Sequence, residues 1–272
     1  MPIPKPKIFD DENHLIKQLK LKKTKKLVDS FFNKRYTNVA EMVRASIGNN
    51  TLRIFPRNTL YDNGPLLTFR KWATKYIQRS LNEIRDISTQ DEYDIYVNKS
   101  TRRLQNYWKR ETAMNLEVDF GRAAKIINLV LKCVPCLADK LDKVSIDDSG
   151  EIVKDKNLLQ LEGVDDATRN RLIKLQHVPL DKFTIAGLTN VVMSKKDAIS
   201  NNSKKNTKPH EILGEKSVTK NSSMGFIKDK KQYDKFQEVI WKICDAAGVP
   251  VIFYEILAWN AAHSEVVNSV AD

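Results

Sequence analysis

The sequence predicts an all-α fold in which a helical bundle surrounds one buried central helix. Apolar residues recur at helical spacing in most segments that lie between turn signals. Glycine and proline number only 9 each among 272 residues, fewer than an all-β protein of this length needs for its turns. Residues 118–134, VDFGRAAKIINLVLKCV, are apolar round nearly the whole helix, which favours a position in the middle of a bundle.

Residues 1–66 are predicted to be a basic N-terminal helical region. Residues 13–36 place apolar side chains near helical spacing, so we expect one helix there. The segment also carries a dense lysine cluster: Lys22, Lys23, Lys25 and Lys26. Exposure to solvent explains such a cluster as well as contact with phosphates does, and both interpretations stay open.

Residues 67–272 are predicted to form a larger helical domain. Between residues 67 and 84, four apolar residues recur at the spacing of an amphipathic helix: Phe69, Trp72, Tyr76 and Ile77. The next predicted helix carries an apolar side and a cationic side. The apolar side consists of Leu104, Tyr107 and Trp108. The cationic side consists of Arg102, Arg103, Lys109 and Arg110. Residues 195–222 are rich in Lys, Asn and Ser and are predicted to be a mobile loop, after which two amphipathic helices follow.

Residues 158–177, LLQLEGVDDATRNRLIKLQH, predict two helices joined by a tight turn at Gly163 and Val164. Glycine lets the backbone approach a ligand closely, and a helix N-terminus favours anions. The N–H groups of this turn are therefore candidate phosphate ligands. Many helical hairpins contain a glycine for geometry alone, so the pattern also has a purely structural interpretation.

The charge of the chain predicts a polyanionic partner. Lysine and arginine number 46 against 34 aspartates and glutamates, which leaves a net charge of +12. Such a balance favours nucleic acid or an anionic membrane. No run approaches the roughly 18 apolar residues of a membrane span, and the first residues lack the apolar core of a signal peptide. We therefore expect a cytoplasmic protein that binds double-stranded DNA, with no membrane contact and no obligate protein partner.

The cysteine and histidine residues predict neither a metal site nor a cofactor. Cys133 and Cys136 form one CxxC motif, but no second CxxC and no histidine pair at ligand spacing accompany it. A redox pair would need a βαβ context that the sequence does not predict. Buried, unreactive thiols are the expectation.

The apolar helix GRAAKIINLVLK, the turn LEGV and the later VPLDKF occur in the order found in a known enzyme family. In this combination the chain resembles the helix-hairpin-helix DNA glycosylase superfamily, and within it the archaeal 8-oxoguanine branch. The resemblance covers about residues 68–190. It implies a helix-hairpin-helix glycosylase-like bundle and an enzyme that flips out a modified base, excises it and leaves an abasic site.

Two side chains receive catalytic roles through this resemblance. Asp181 would stabilise the positive charge that develops on the deoxyribose as the N-glycosidic bond breaks, and would orient the attacking water. Lys125 would be a Schiff-base nucleophile in a glycosylase that is also a lyase. We favour water as the nucleophile and hence a monofunctional enzyme. Asp181 is equally placed to cap a helix, and the two roles are compatible.

The residues of the base pocket and the DNA contacts are predicted from their residue types. Stacking on a flipped base needs aromatic side chains, and the sequence offers Trp72, Trp108 and Trp259, with Tyr107 beside them. At helical spacing each is more often a core residue. Glu255 and Asn260 are polar in an apolar context and are candidates to contact the base edge. Arg122, Gly163, Val164 and the lysine cluster are the predicted DNA contacts.

The sequence is compatible with several hypotheses about substrate and function. We expect a bulky modified cytosine in phage DNA, excised as an antiviral defence; a repair glycosylase for oxidised bases is the alternative within the family. Outside it, a non-enzymatic helical DNA-binding protein fits the same charge. A nuclease is disfavoured because the acids do not cluster, and a lipid-surface protein because no large apolar face accompanies the basic helix.

Overall fold

The computed structural model of the chain describes residues 5–6, 8–48, 51–52, 64–112, 117–154, 160–193, 210–211, 218–219, 221–222 and 224–268. Helices account for 64% of the structure and strands for 9%. The predicted helical fold is confirmed at this level. The prediction of an all-α fold is wrong in detail, because three small sheets accompany the helices.

The helices of the described residues are α1 Glu12–Leu19, α2 Lys22–Phe32, α3 Val39–Ser46, α4 Gly64–Asp86, α5 Gln90–Glu111, α6 Phe120–Leu131, α7 Asp166–Leu175, α8 Lys182–Ala186, α9 Lys230–Ala247 and α10 Ile252–Asn268. The strands are β1 Tyr36–Asn38, β2 Leu137–Asp142, β3 Val144–Ile146, β4 Ile152–Lys154, β5 Leu161–Glu162, β6 Val192–Met193 and β7 His210–Glu211. Within these residues, no helix combines the length and the apolar character needed to cross a membrane.

The chain divides into two compact units. The first comprises residues 1–29 and 177–272, and the second comprises residues 30–176. The boundary predicted between residues 66 and 67 falls inside α4. The second unit is therefore one continuous stretch of chain, whereas the first is assembled from both ends.

The core of the second unit is built by α4, α5 and α6. Along α6, buried residues occupy most of the circumference, among them Ala123, Ile126, Ile127 and Val130. The prediction of one apolar, buried helix is thus confirmed. Phe69 of α4 and Trp108 of α5 belong to the same cluster and have no exposed surface.

The strands of the second unit form two small sheets. Strand β2 pairs in parallel with β1 and antiparallel with β5, while β3 and β4 form an antiparallel hairpin. The hairpin turns at Gly150, whose φ of +89° is the left-handed conformation that favours glycine. The turn residues Asp147–Gly150 between two short stretches that contain β-branched residues were a sequence signal for this hairpin.

The prediction of a helix immediately before Gly163 is wrong. The structure has strand β5 there, with Leu161 opposite Leu141 and Glu162 opposite Lys140 of β2. The turn at Gly163 therefore joins a strand to α7, and the segment is not a helical hairpin. Backbone pairing with a neighbouring strand outweighed the local helical pattern.

The first unit packs α1 against α9 and α10, and α8 against α10. The helix predicted over residues 13–36 is two helices, because α1 ends near Leu19 and the Thr24 hydroxyl donates to the Gln18 carbonyl at 2.8 Å. Most of the predicted loop at 195–222 lies outside the described residues. Its residues 210–211 form β7, which pairs in parallel with β6.

Candidate nucleic-acid interface

Helices α4 and α5 of the second unit enclose a groove of about 860 Å³, called here the α4–α5 groove. Its walls combine cationic and aromatic side chains with a single acid. The lining residues are Lys71, Trp72, Lys75, Tyr76, Arg79, Ser80, Glu83, Arg103, Asn106, Tyr107, Lys109 and Arg110. Six of these side chains are cations.

The sequence places these cations on the faces of α4 and α5 that point away from the core. Lys71, Lys75 and Arg79 are spaced four residues apart, which aligns them along one side of α4. The opposite side of α4 buries Phe69 and Ile77 in the core. The packing of α4 therefore fixes the direction of its cationic side.

Some of the lining charges are neutralised within the protein. Lys71 Nζ lies 2.5 Å from a carboxylate oxygen of Asp148, and Lys109 Nζ lies 2.6 Å from Glu117. The hydrogen bond from Lys109 lowers the pKa of Glu117. The acid in the groove, Glu83, pairs with Lys99 at 2.5 Å.

Of the four other cations of the groove, Arg103 lies over the ring of Tyr76, and the remaining three have no such neutralisation. Within the described part of the chain, no ion pair is recorded for Lys75, Arg79 or Arg110, and all three side chains are exposed. Unpaired cations that face a concave surface attract anionic ligands. The electrostatic character of the α4–α5 groove is therefore strongly positive.

The aromatic side chains of the groove are stacked on one another. The ring of Trp72 lies 5.0 Å from that of Tyr76, with planes 4° apart, and 5.7 Å from that of Tyr107, with planes 28° apart. The guanidinium of Arg103 lies over Tyr76 at 5.7 Å from the ring centroid. All three rings are partly exposed.

Hydrogen bonds between α4 and α5 hold these rings in place. The hydroxyls of Tyr76 and buried Ser100 are 2.7 Å apart, and those of Ser80 and Tyr96 are 2.8 Å apart. Burial raises the pKa of Tyr96 well above its usual value, so its hydroxyl stays protonated at neutral pH. Two pairs of hydroxyl groups thus link α4 to α5 beneath the groove.

The N–H groups of Gly163 and Val164, which the sequence offers as phosphate ligands, both donate to carbonyls within the fold. The Gly163 N–H donates to the Asp139 carbonyl at 2.8 Å, and the Val164 N–H donates to the Ala138 carbonyl at 3.0 Å. A Cβ on Gly163 would lie 1.8 Å from the Ala138 oxygen. Glycine is needed here because β2 passes so close, and both N–H groups already have acceptors.

The arginines that follow this turn are also used within the fold. Buried Arg169 donates to the carbonyls of Pro135 at 2.7 Å and Val164 at 2.9 Å, and it pairs with Asp166. Arg171 donates to the carbonyl of Ile87 at 2.7 Å. These cations stabilise the joint between α7 and its neighbours.

Asp181 caps α8, as the sequence predicted. Its Oδ1 accepts the N–H groups of Phe183 at 2.8 Å and Thr184 at 3.1 Å, and the Thr184 hydroxyl accepts the Asp181 N–H. Lys125 lies on α6 and is half-buried. Asp181 belongs to the first unit and Lys125 to the second.

The predicted base-pocket residues lie in different environments. Trp72 lines the α4–α5 groove, whereas Trp108 is 0% exposed in the core and is not a groove residue. In the first unit, Trp259 is 45% exposed and stacks on His263 at 3.8 Å, and Glu255 is buried. The Asn260 amide donates to the Ile256 carbonyl of its own helix at 2.8 Å.

The other predicted DNA contacts lie at exposed helix surfaces. Lys22, Lys23, Lys25 and Lys26 are exposed on α2. Arg122 lies in the first turn of α6, 3.2 Å from the carboxylate of Asp119, the residue that caps this helix. The ion pair lowers the availability of Arg122 for a phosphate.

The three cysteines form no disulfide and are buried, as predicted. Burial raises the pKa of Cys136 to about 11 and that of Cys244 to about 12. Among the described residues, no cluster of three or more His, Cys, Asp or Glu side chains is arranged to hold a metal ion.

Sequence reasoning missed three groove residues, Lys71, Lys75 and Arg79. Their four-residue spacing beside Trp72 and Tyr76 was a usable signal, since cations and aromatics then share one helix side. The neighbour relation between α4 and α5 could not be derived from either segment alone.

Comparisons of the chain with protein-family models, with curated proteins and with solved structures find no match in any of the three. The resemblance to helix-hairpin-helix glycosylases therefore stays a prediction.

Proposed function

We propose that the protein binds nucleic acid through the α4–α5 groove. One observation carries this proposal: six cationic side chains and three stacked aromatic rings line the same concave surface. Proteins that bind nucleic acid without sequence preference combine these two features, since cations contact the backbone and rings contact the bases.

The unpaired cations supply the affinity. Lys75, Arg79 and Arg110 are exposed along the groove and would contact phosphates, which releases the counterions condensed on the nucleic acid. Lys71 and Lys109 would contribute less, because each already faces a carboxylate.

The test replaces Lys75, Arg79 and Arg110 together by glutamine and measures binding of a labelled oligonucleotide at several salt concentrations. Loss of three phosphate contacts should weaken binding about 100-fold near 0.1 M salt and make the slope of log K against log salt less negative by about 2. The stability of the variant should change little, since the three side chains are exposed.

A matched control replaces three exposed lysines of α2, Lys22, Lys23 and Lys25, by glutamine. This variant loses the same charge and should keep most of the affinity. If the α2 variant loses binding and the groove variant does not, the interface lies on α2 and the proposal fails.

Base excision is a second, narrower candidate, and it rests on Asp181. The two N–H groups that Asp181 accepts hold its carboxylate in one orientation, which a glycosylase requires of the acid beneath the sugar. A modified cytosine, as in phage DNA, or an oxidised base would be the substrate.

The excision test compares abasic-site formation by the wild type and by Asp181→Asn on plain, oxidised and cytosine-modified DNA, using an aldehyde-reactive probe. Asparagine caps helices as well as aspartate does, so the fold should persist. Abasic sites that the wild type forms and Asp181→Asn does not would support base excision. If the wild type forms abasic sites on no substrate, the protein binds nucleic acid without excising a base.

A further inference from the structure

We infer that the α4–α5 groove prefers unpaired nucleic-acid strands over duplexes, with a base stacking on the rings of Trp72, Tyr76 and Tyr107. The inference rests on the proposed binding function and names its substrate class. The aromatic rings of the groove, rather than its cations, are the basis for this preference.

Four rings of α4 and α5 form a ladder of nearly parallel planes. It runs from Tyr107 to Trp72, to Tyr76 and then to Tyr96, whose plane is 24° from that of Tyr76 at 6.5 Å. Tyr96 is buried, whereas the other three rings reach the groove. A base that enters the groove would contact the parts of Trp72, Tyr76 and Tyr107 that remain exposed.

The stack is preorganised for such a base. Hydrogen bonds join the hydroxyls of Tyr76 and Ser100 and those of Tyr96 and Ser80. They fix the positions of two rings of the stack, so less conformational freedom is lost on binding. Arg103 over Tyr76 adds a planar cation beside the same rings, and guanidinium groups also stack on bases.

Duplexes cannot use this surface in the same way. Within a duplex, each base face is covered by its neighbours and only edges reach the grooves. An unpaired strand presents base faces, and each stacking contact contributes substantially to affinity whatever the base. The cations of the groove contact either form, so the rings determine the preference.

The experiment measures binding of an oligothymidylate of about 15 nucleotides and of a duplex of equal length at the same salt concentration. We expect the single strand to bind about tenfold more tightly to the wild type. Trp72→Leu should weaken single-strand binding about fivefold to a hundredfold and leave duplex binding nearly unchanged. Trp72→Phe should restore much of the loss, because it restores a ring.

Two further variants keep the outcome interpretable. Tyr107→Leu repeats the test on the other helix if Trp72→Leu does not fold, as judged by thermal unfolding. Trp241→Leu removes an exposed tryptophan of α9 in the first unit, a residue with no proposed role, and should bind normally.

Three results would overturn the single-strand preference: equal or tighter binding of the duplex, equal losses on both forms in Trp72→Leu, or loss of binding in Trp241→Leu. Failure of the binding function itself has a different signature. Neither form would then bind, or the Lys75, Arg79 and Arg110 variant would bind as tightly as the wild type.

Discussion

The α4–α5 groove and the turn at Gly163 both place cations next to a helix, yet the two regions use them differently. At the turn, Arg169 donates to backbone carbonyls and the N–H groups of Gly163 and Val164 donate to β2. In the groove, Lys75 and Arg79 project from α4 with no ion pair recorded among the described residues. The availability of a polar group, rather than its type, therefore distinguishes the proposed binding surface from a structural joint.

The largest expected effect is that of Gly163→Ala on stability. The new methyl group would lie 1.8 Å from the Ala138 oxygen, so the β2–β5 pairing would have to shift. We expect the free energy of unfolding to fall by about 4 kcal/mol, measured by denaturant titration. Nucleic-acid affinity of the folded fraction should stay unchanged. A stable variant that loses binding would instead make this turn a phosphate site.

A matched pair of arginine variants sharpens the same comparison. Arg169→Met should lower the free energy of unfolding by about 3 kcal/mol, because buried carbonyls of Pro135 and Val164 lose their donor. Arg79→Met should change it by less than about 0.5 kcal/mol, because Arg79 is exposed.

Affinity for nucleic acid should fall in Arg79→Met and not in Arg169→Met, the reverse of the order expected for stability. Oligonucleotide titrations should find affinity reduced about fivefold in Arg79→Met, through loss of one phosphate contact near 0.1 M salt. Folded Arg169→Met should bind like the wild type. If Arg169→Met and Arg79→Met lower the free energy of unfolding equally, Arg79 is also a structural residue and the two regions do not differ in this respect.

Asp148→Asn tests a smaller effect at the edge of the groove. Asp148 neutralises Lys71 across 2.5 Å, and its removal would free one more cation for a phosphate. We expect affinity to rise about threefold at low salt, within the range measured for exposed ion pairs, and the gain to vanish at high salt. Unchanged affinity at every salt concentration would place Lys71 outside the interface.

A pH dependence of the stability arises from Cys136. Burial raises the pKa of this thiol to about 11, against about 8.5 in an unfolded chain. The native state therefore keeps a proton that the unfolded state loses. The thiol's contribution to stability is full below pH 8.5 and is lost as the pH rises towards 11.

Between about pH 8.5 and pH 10, the free energy of unfolding should thus fall more steeply in the wild type than in Cys136→Ala. Denaturant titrations at a series of pH values measure both slopes. Identical slopes would show that the thiol titrates alike in both states.

Much of the helical framework could be predicted from the sequence. The apolar character of residues 118–134 predicted the buried helix α6, and the aromatic spacing from Phe69 to Ile77 predicted α4. The cap at Asp181 also followed from its position before a short apolar run. These features depend on local periodicity and capping, which a single segment contains.

Features that depend on neighbours could not be predicted in the same way. Strand β5 forms because β2 lies beside it, and Gly163 is a packing requirement of that pair. The exposure of Trp72 and the burial of Trp108 follow from how α4, α5 and α6 pack, although the sequence offered both as pocket residues.

Photo-crosslinking of a single strand that carries 5-iodouracil, followed by mass spectrometry of the linked peptides, would show which residues lie against the bases. It locates the bases on the unaltered protein and needs no substitution. We predict crosslinks at Trp72, Tyr76 or Tyr107 in the α4–α5 groove. Crosslinks confined to α2, or to the segment from Leu161 to Arg171, would contradict the account.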